Sequence, residues 1–85
     1  LWGYGRIGQL VAGYGRAFGM KVVVWGSDTS RGKAQADGHE TATSRESFFE
    51  SCDVISLHLR LHEATRGLVR LEDLQRMKPT ALFVN

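Results

Sequence analysis

Gly3-Tyr4-Gly5-Arg6-Ile7-Gly8 opens a run from Arg6 to Phe18 in which Ile7, Leu10, Val11, Tyr14 and Phe18 recur at helical spacing. Lys21-Val22-Val23-Val24-Trp25 follows, a short β-branched run that reads as a strand. The apolar stub Leu1-Trp2 precedes the first glycine, so the order is strand, turn, helix, strand. A G-x-G-x-x-G in that setting is the fingerprint of a dinucleotide-binding turn. Gly3 makes the tight turn, Gly5 lets the backbone approach a pyrophosphate, and Gly8 lets helix and strand pack closely. The helix N-terminus offers free N–H groups and a positive dipole end to the phosphates.

Downstream, the same alternation continues. Gly19 stands where a left-handed residue closes the first helix. Gly13 and Gly15 inside that helix each cost about 1 kcal/mol against Ala, offset by close approach to a neighbouring strand. Gly26 to Gly38 reads as polar connection with a short helix around Gly32 to Ala36. Ser44 opens a helix through Phe48, Phe49 and Glu50, and Asp53 to His58 is a strand. Leu71 to Met77 reads as a helix with Leu71, Leu74 and Met77 on its inward side, stopped by Lys78-Pro79, and Ala81 to Val84 is the last strand. Strands that are apolar throughout, alternating with helices, predict a parallel sheet covered on both faces. The expectation is a doubly wound α/β domain, incomplete at both ends: residues 1–85 as part of a dinucleotide-binding domain.

Composition excludes several classes. The chain has 85 residues, 42% hydrophobic and 24% charged, with ten glycines and one proline, which describes globular protein. Net charge is +2 and the basic residues are scattered, so no nucleic-acid footprint is expected. No apolar run is long enough to cross a bilayer, and no targeting segment is visible. The single cysteine, Cys52, leaves no internal disulfide and fits a reducing compartment, the cytoplasm. It reads as a small buried thiol beside Phe48 and Phe49, with nothing basic adjoining it to make it a nucleophile. His39, His58 and His62 share no metal-ligand spacing, so no metal site is expected. His39 and His62 read as solvated.

Three stretches together resemble the nucleotide-binding domain of the D-isomer-specific 2-hydroxyacid dehydrogenases. They are Gly3 to Gly8 with Phe18-Gly19-Met20-Lys21-Val22; Cys52 to His58 running on through Glu63 to Val69; and Met77-Lys78-Pro79 to Asn85. The resemblance implies NAD or NADP as cofactor and a small 2-hydroxy/2-keto acid as substrate. It implies hydride transfer between the two, in a homodimeric parent protein. It places Arg6 and Ile7 at the pyrophosphate, the loop after Trp25 at the adenosine ribose, and His58, Leu59 and Thr65 along the nicotinamide half. The family's substrate-binding arginine, glutamate and acid/base histidine fall outside these residues, so none here is expected to be catalytic. A dinucleotide-sensing corepressor-like interaction protein on the same fold is the alternative, because fold does not fix function.

Two positions depart from the family pattern: Arg60 stands in place of a proline, and Gly26 in place of the aspartate that binds the adenosine ribose. The missing carboxylate removes a repulsion against a 2′-phosphate. Ser27, Ser30 and Arg31, with Thr29 and Lys33, form a polar, basic stretch that reads either as a phosphate cradle or as an ordinary solvated loop. Asp28, twenty residues after Gly8, could instead serve the ribose hydroxyl. His58 likewise has two readings, a pocket wall or a partly buried histidine satisfied by its neighbours.

Overall fold

The computed structural model describes residues 1–58 and 69–84. In chain order it contains α1 (Arg6–Ala17), β1 (Val23–Val24), α2 (Asp28–Ala36), β2 (Glu40–Thr41), α3 (Arg45–Ser51), β3 (Val54–Ser56), α4 (Leu71–Arg76) and β4 (Leu82–Val84). β1 pairs with β2 and β3 with β4, both parallel. Trp2 joins the two ribbons by parallel bridges to Trp25 and Leu57. The spatial order is therefore β2, β1, the Trp2 segment, β3, β4. Successive connections run to opposite sides of Trp2, which makes it the switch point of a doubly wound sheet.

The two faces are covered by different helices. On one face Tyr4, Ala12, Val24 and Ala34 bury together, joining the loop, α1, β1 and α2. On the other, Phe48 and Phe49 of α3 meet Trp2 and Ile55. The three aromatic rings pack edge to face with centroids 5.4 to 6.2 Å apart, the arrangement their quadrupoles favour. Arg45 lies 5.0 Å over the Trp2 ring. It donates to Asp73 from Nε at 3.0 Å and from Nη2 at 2.5 Å, which ties α3 to α4.

Local signals set several boundaries as expected. Gly19 takes φ +79° at the end of α1, and its N–H reaches the Arg16 carbonyl. Ser44 caps α3 by accepting from the Ser47 N–H at 3.1 Å. A Cβ on Gly15 would stand 3.2 Å from Val22 Cγ2, so this glycine does mark close helix–strand approach; Gly13 faces no such neighbour.

Other expectations are corrected. The short helix expected around Gly32 to Ala36 is present but starts earlier, at Asp28, where loop was expected: Ser27 caps it by accepting from the Ser30 N–H. β2, unforeseen in sequence, is held parallel to β1. α4 turns Asp73 inward and leaves Leu71 and Leu74 exposed, because the Arg45 pair and the Arg70 N–H, at 2.9 Å, capture the Asp73 carboxylate. Along α1 the inward residues are Gly8 and Ala12, while Ile7, Leu10, Tyr14 and Phe18 remain exposed. Small residues occupy the contact because Gly8 faces the Gly3 carbonyl and Ala12 buries with Tyr4, Val24 and Ala34. The strands are not buried throughout either: Val54, Leu82 and Val84 are exposed, while Val24 and Ile55 are fully buried.

Candidate functional site

Because the strands are parallel, Gly3, Gly26 and His58 emerge at the same end of the sheet. The Gly3 N–H donates to the Trp25 carbonyl at 2.8 Å, and the His58 N–H to the Trp2 carbonyl at 2.9 Å. These bonds hold the glycine turn at the switch point, outside the carboxyl ends of the strands, where open α/β sheets form their ligand crevice.

Each glycine of the turn has a separate geometric reason. Gly3 takes φ +101°, a conformation that L side chains rarely adopt. A Cβ on Gly8 would lie 2.8 Å from the Gly3 carbonyl oxygen, so the first turn of α1 folds directly against the loop. The close partner is therefore the loop backbone rather than a neighbouring strand, which corrects the expected role. At Gly5 the space a Cβ would enter contains no atom within 4 Å.

The helix start is open in the same direction. Gly5 is the N-cap of α1, no side chain caps it, and its first turn has no acidic residue. α2 and α3 are capped by Ser27 and Ser44, and Asp73 takes the Arg70 N–H at the start of α4. A twelve-residue helix with a positive dipole end, uncapped N–H groups and free space at Gly5 fits a phosphate. The pyrophosphate of a dinucleotide therefore suits the residues present.

Tyr4, which sequence reading left without a role, holds the turn from below. Its ring is buried between α1 and α2, and its hydroxyl donates to Asp37 Oδ2 at 2.6 Å. Burial, then the Asp37 bond, pushes the phenol up to about 12. His39 packs edge-on against the Tyr4 ring, 5.6 Å between centroids, so it is half-buried rather than solvated.

Ser27, Ser30 and Arg31 gather at the start of α2, beside Gly26. The Ser27 hydroxyl forms the cap and donates to Ser30 Oγ at 3.2 Å. The Arg31 guanidinium sits 5.0 Å over the Trp25 ring and pairs with Asp28. The arginine and the aspartate that read as rivals for the ribose thus bind each other. Gly26 has φ +154°, and a Cβ there would meet Ser30 Cβ at 3.4 Å.

His58 lies on the other side of the turn, its Nε2 2.7 Å from Ser56 Oγ. Burial lowers its pKa. The imidazole is neutral near pH 7 and has a side-chain partner. Leu59 and Thr65, expected beside it, lie outside the described residues, as does His62. Cys52 is half-buried against the aromatic core, and burial raises its thiol pKa, in keeping with an inert role. Among the described residues no cluster could hold a metal ion, and no helix is long and apolar enough to cross a membrane. A cavity of about 120 Å³ lined by Leu1, Val11, Gly15, Val22, Val54 and Ser56 contains no residue of the glycine turn.

Comparison with known proteins agrees with this geometry. The sequence pattern of the family "D-isomer specific 2-hydroxyacid dehydrogenase, NAD binding domain" matches residues 1–85. Glyoxylate reductase of Aeropyrum pernix is 39% identical over 83 residues, 98% of this chain and 24% of the relative. C-terminal-binding protein 1 of Caenorhabditis elegans is 32% identical over 83 residues, 98% of this chain and 11% of that protein. The crystal structure of a putative D-3-phosphoglycerate dehydrogenase from Ralstonia solanacearum superposes with a TM-score of 0.96 at 61% identity, covering 99% of this chain and 25% of that one. The chain spans about a quarter of the length of the reductase it matches.

Proposed function

This chain belongs to the D-isomer-specific 2-hydroxyacid dehydrogenases, in their NAD-binding domain, and on that premise we propose that it is the cofactor-binding core of an NAD(P)-dependent oxidoreductase. The reaction is reversible hydride transfer between nicotinamide and the C2 carbon of a small 2-hydroxy/2-keto acid. The observation that carries this reading is the uncapped N-terminus of α1 above the open space at Gly5.

Gly3, Gly5, Arg6, Ile7 and Gly8 hold the pyrophosphate through backbone N–H groups and the helix dipole. Ser27, Ser30 and Arg31 take the adenosine ribose or its 2′-phosphate. His58, with Leu59 and Thr65, borders the nicotinamide half; its neutral ring adds no charge beside a nicotinamide that alternates between cationic and neutral forms. The bound nicotinamide supplies the hydride chemistry. Residues 1–85 contribute binding and orientation, and the groups that grip substrate and move its proton belong to another part of a cytoplasmic, homodimeric protein.

Fluorescence titration of the full-length protein with NADH and NADPH tests the reading. Saturable binding that Gly5→Val abolishes is expected, together with 2-keto acid-dependent oxidation of the reduced cofactor. Failure of both dinucleotides to bind overturns it. The similarity to a C-terminal-binding protein supports a second reading, in which dinucleotide binding governs partner recognition; tight binding without turnover on any 2-keto acid distinguishes it.

A further inference from the structure

Tyr4 lies in the glycine turn between Gly3, which makes the turn, and Gly5, the N-cap of α1. Its side chain leaves the turn and runs down between α1 and α2, where Ala12, Val24 and Ala34 bury it. The hydroxyl ends at Asp37 Oδ2, 2.6 Å away, and Asp37 is the C-cap of α2. Gln9 Nε2 donates to the Tyr4 carbonyl at 3.4 Å, a second, weaker tie on the same residue. The other end of α2 carries Ser27, Ser30 and Arg31, next to Gly26, whose Cβ position is 3.6 Å from the Gly3 nitrogen. Gly26, just before α2, thus abuts the turn, and Asp37, just after it, holds Tyr4.

Resting on the reading of the turn as a dinucleotide site, we propose that Tyr4 is a positioning residue. Through Asp37 it fixes the Gly3–Gly5 backbone against α2, so that the pyrophosphate N–H groups and the ribose-binding end of α2 stand at one set separation before the cofactor arrives. The tie is charge-assisted and part-buried, with the Tyr4 ring enclosed and Asp37 exposed, and its charged acceptor places it among the stronger hydrogen bonds. A turn rich in glycine carries high conformational entropy, and ordering it on binding would otherwise weaken affinity. Pre-ordering the turn removes that cost.

The test uses the full-length protein and NADH as probe, with Tyr4→Phe, Asp37→Asn and the double variant. Phenylalanine keeps the buried ring, so the fold is retained, and all titrations are made well below the melting temperature. Each single variant is expected to raise the NADH dissociation constant about fivefold. The double variant is expected to be no worse than either single one, because the two residues act through one bond. Equal NADH affinity in all four proteins, with only melting temperature lowered, would show a packing role alone and overturn the proposal. Additive losses would overturn the coupling. Gly5→Val separates this inference from the one it rests on. If Gly5→Val leaves binding intact, the turn is not the dinucleotide site; if it abolishes binding while Tyr4→Phe and Asp37→Asn are silent, only the positioning role fails.

Discussion

A Cβ on Gly8 would stand 2.8 Å from the carbonyl oxygen of Gly3, and that oxygen belongs to backbone fixed by the Gly3 N–H bond to Trp25. Neither side of the contact is the flexible end of a side chain, so a methyl at residue 8 has to displace the turn itself. At Gly5, by contrast, a methyl meets nothing.

The two glycines should therefore fail differently. Gly8→Val should cost about 1–3 kcal/mol of stability through overpacking, read from denaturant melts. Gly5→Ala should cost less than about 1 kcal/mol at an N-cap while raising the cofactor dissociation constant in isothermal titration. Stability loss at Gly5 equal to that at Gly8 would contradict the open space seen there.

Cofactor preference should follow the Arg31–Asp28 pair. We expect the protein to accept NADP at least as well as NAD, and Arg31→Ala to weaken NADPH about tenfold more than NADH, since a charged hydrogen bond is lost. Gly26→Asp, an obvious route toward NAD, meets a backbone angle that disfavours side chains and a close Ser30, so Asp28 is the better probe. Strong selectivity for NADH in the wild type, abolished by Asp28→Ala, would assign the ribose to Asp28 instead.

Acid stability should depend on Asp73. The Arg45 hydrogen bonds, aided by the Arg70 N–H, hold its carboxyl below the usual range despite burial. A depressed folded pKa contributes stability above the unfolded value of about 3.9, lost as pH falls through the folded value. Asp73→Asn should cost about 2–4 kcal/mol at pH 7, because it breaks a mostly buried pair. It should also flatten the stability profile below about pH 4. Urea melts across pH 2 to 7 give both quantities.

At the alkaline end Tyr4 acts in the opposite sense. Its folded pKa of about 12 exceeds the unfolded value, so the folded state keeps the proton longer. Its contribution is present below about pH 10 and is lost as pH rises toward about 12. Tyr4→Phe should remove that decline, measured by melting temperature between pH 9 and 12.

Much of the fold was legible because its signals are local. The glycine turn, Gly19 closing α1, Ser44 capping α3 and the β-branched run at β1 depend on residues adjacent in the chain. Only the second half of α2, Gly32 to Ala36, was foreseen, although a signal for its start was present: Ser27 caps it by accepting from the Ser30 N–H. Gly32 and the polar composition masked it, since neither propensity nor an apolar stripe marks that segment.

From its sequence alone this protein is a doubly wound dinucleotide-binding chain, because glycine spacing and apolar runs act within one turn of helix or one strand. Only the tertiary structure decided which residues meet across the sheet. It put Asp73 inward rather than Leu71, since the Arg45 carrying its counter-charge lies on another helix. It set Gly8 against Gly3, bound Arg31 to Asp28 over Trp25, and gave Tyr4 its partner thirty-three residues away. Those contacts depend on strand order and helix placement, which no local pattern encodes.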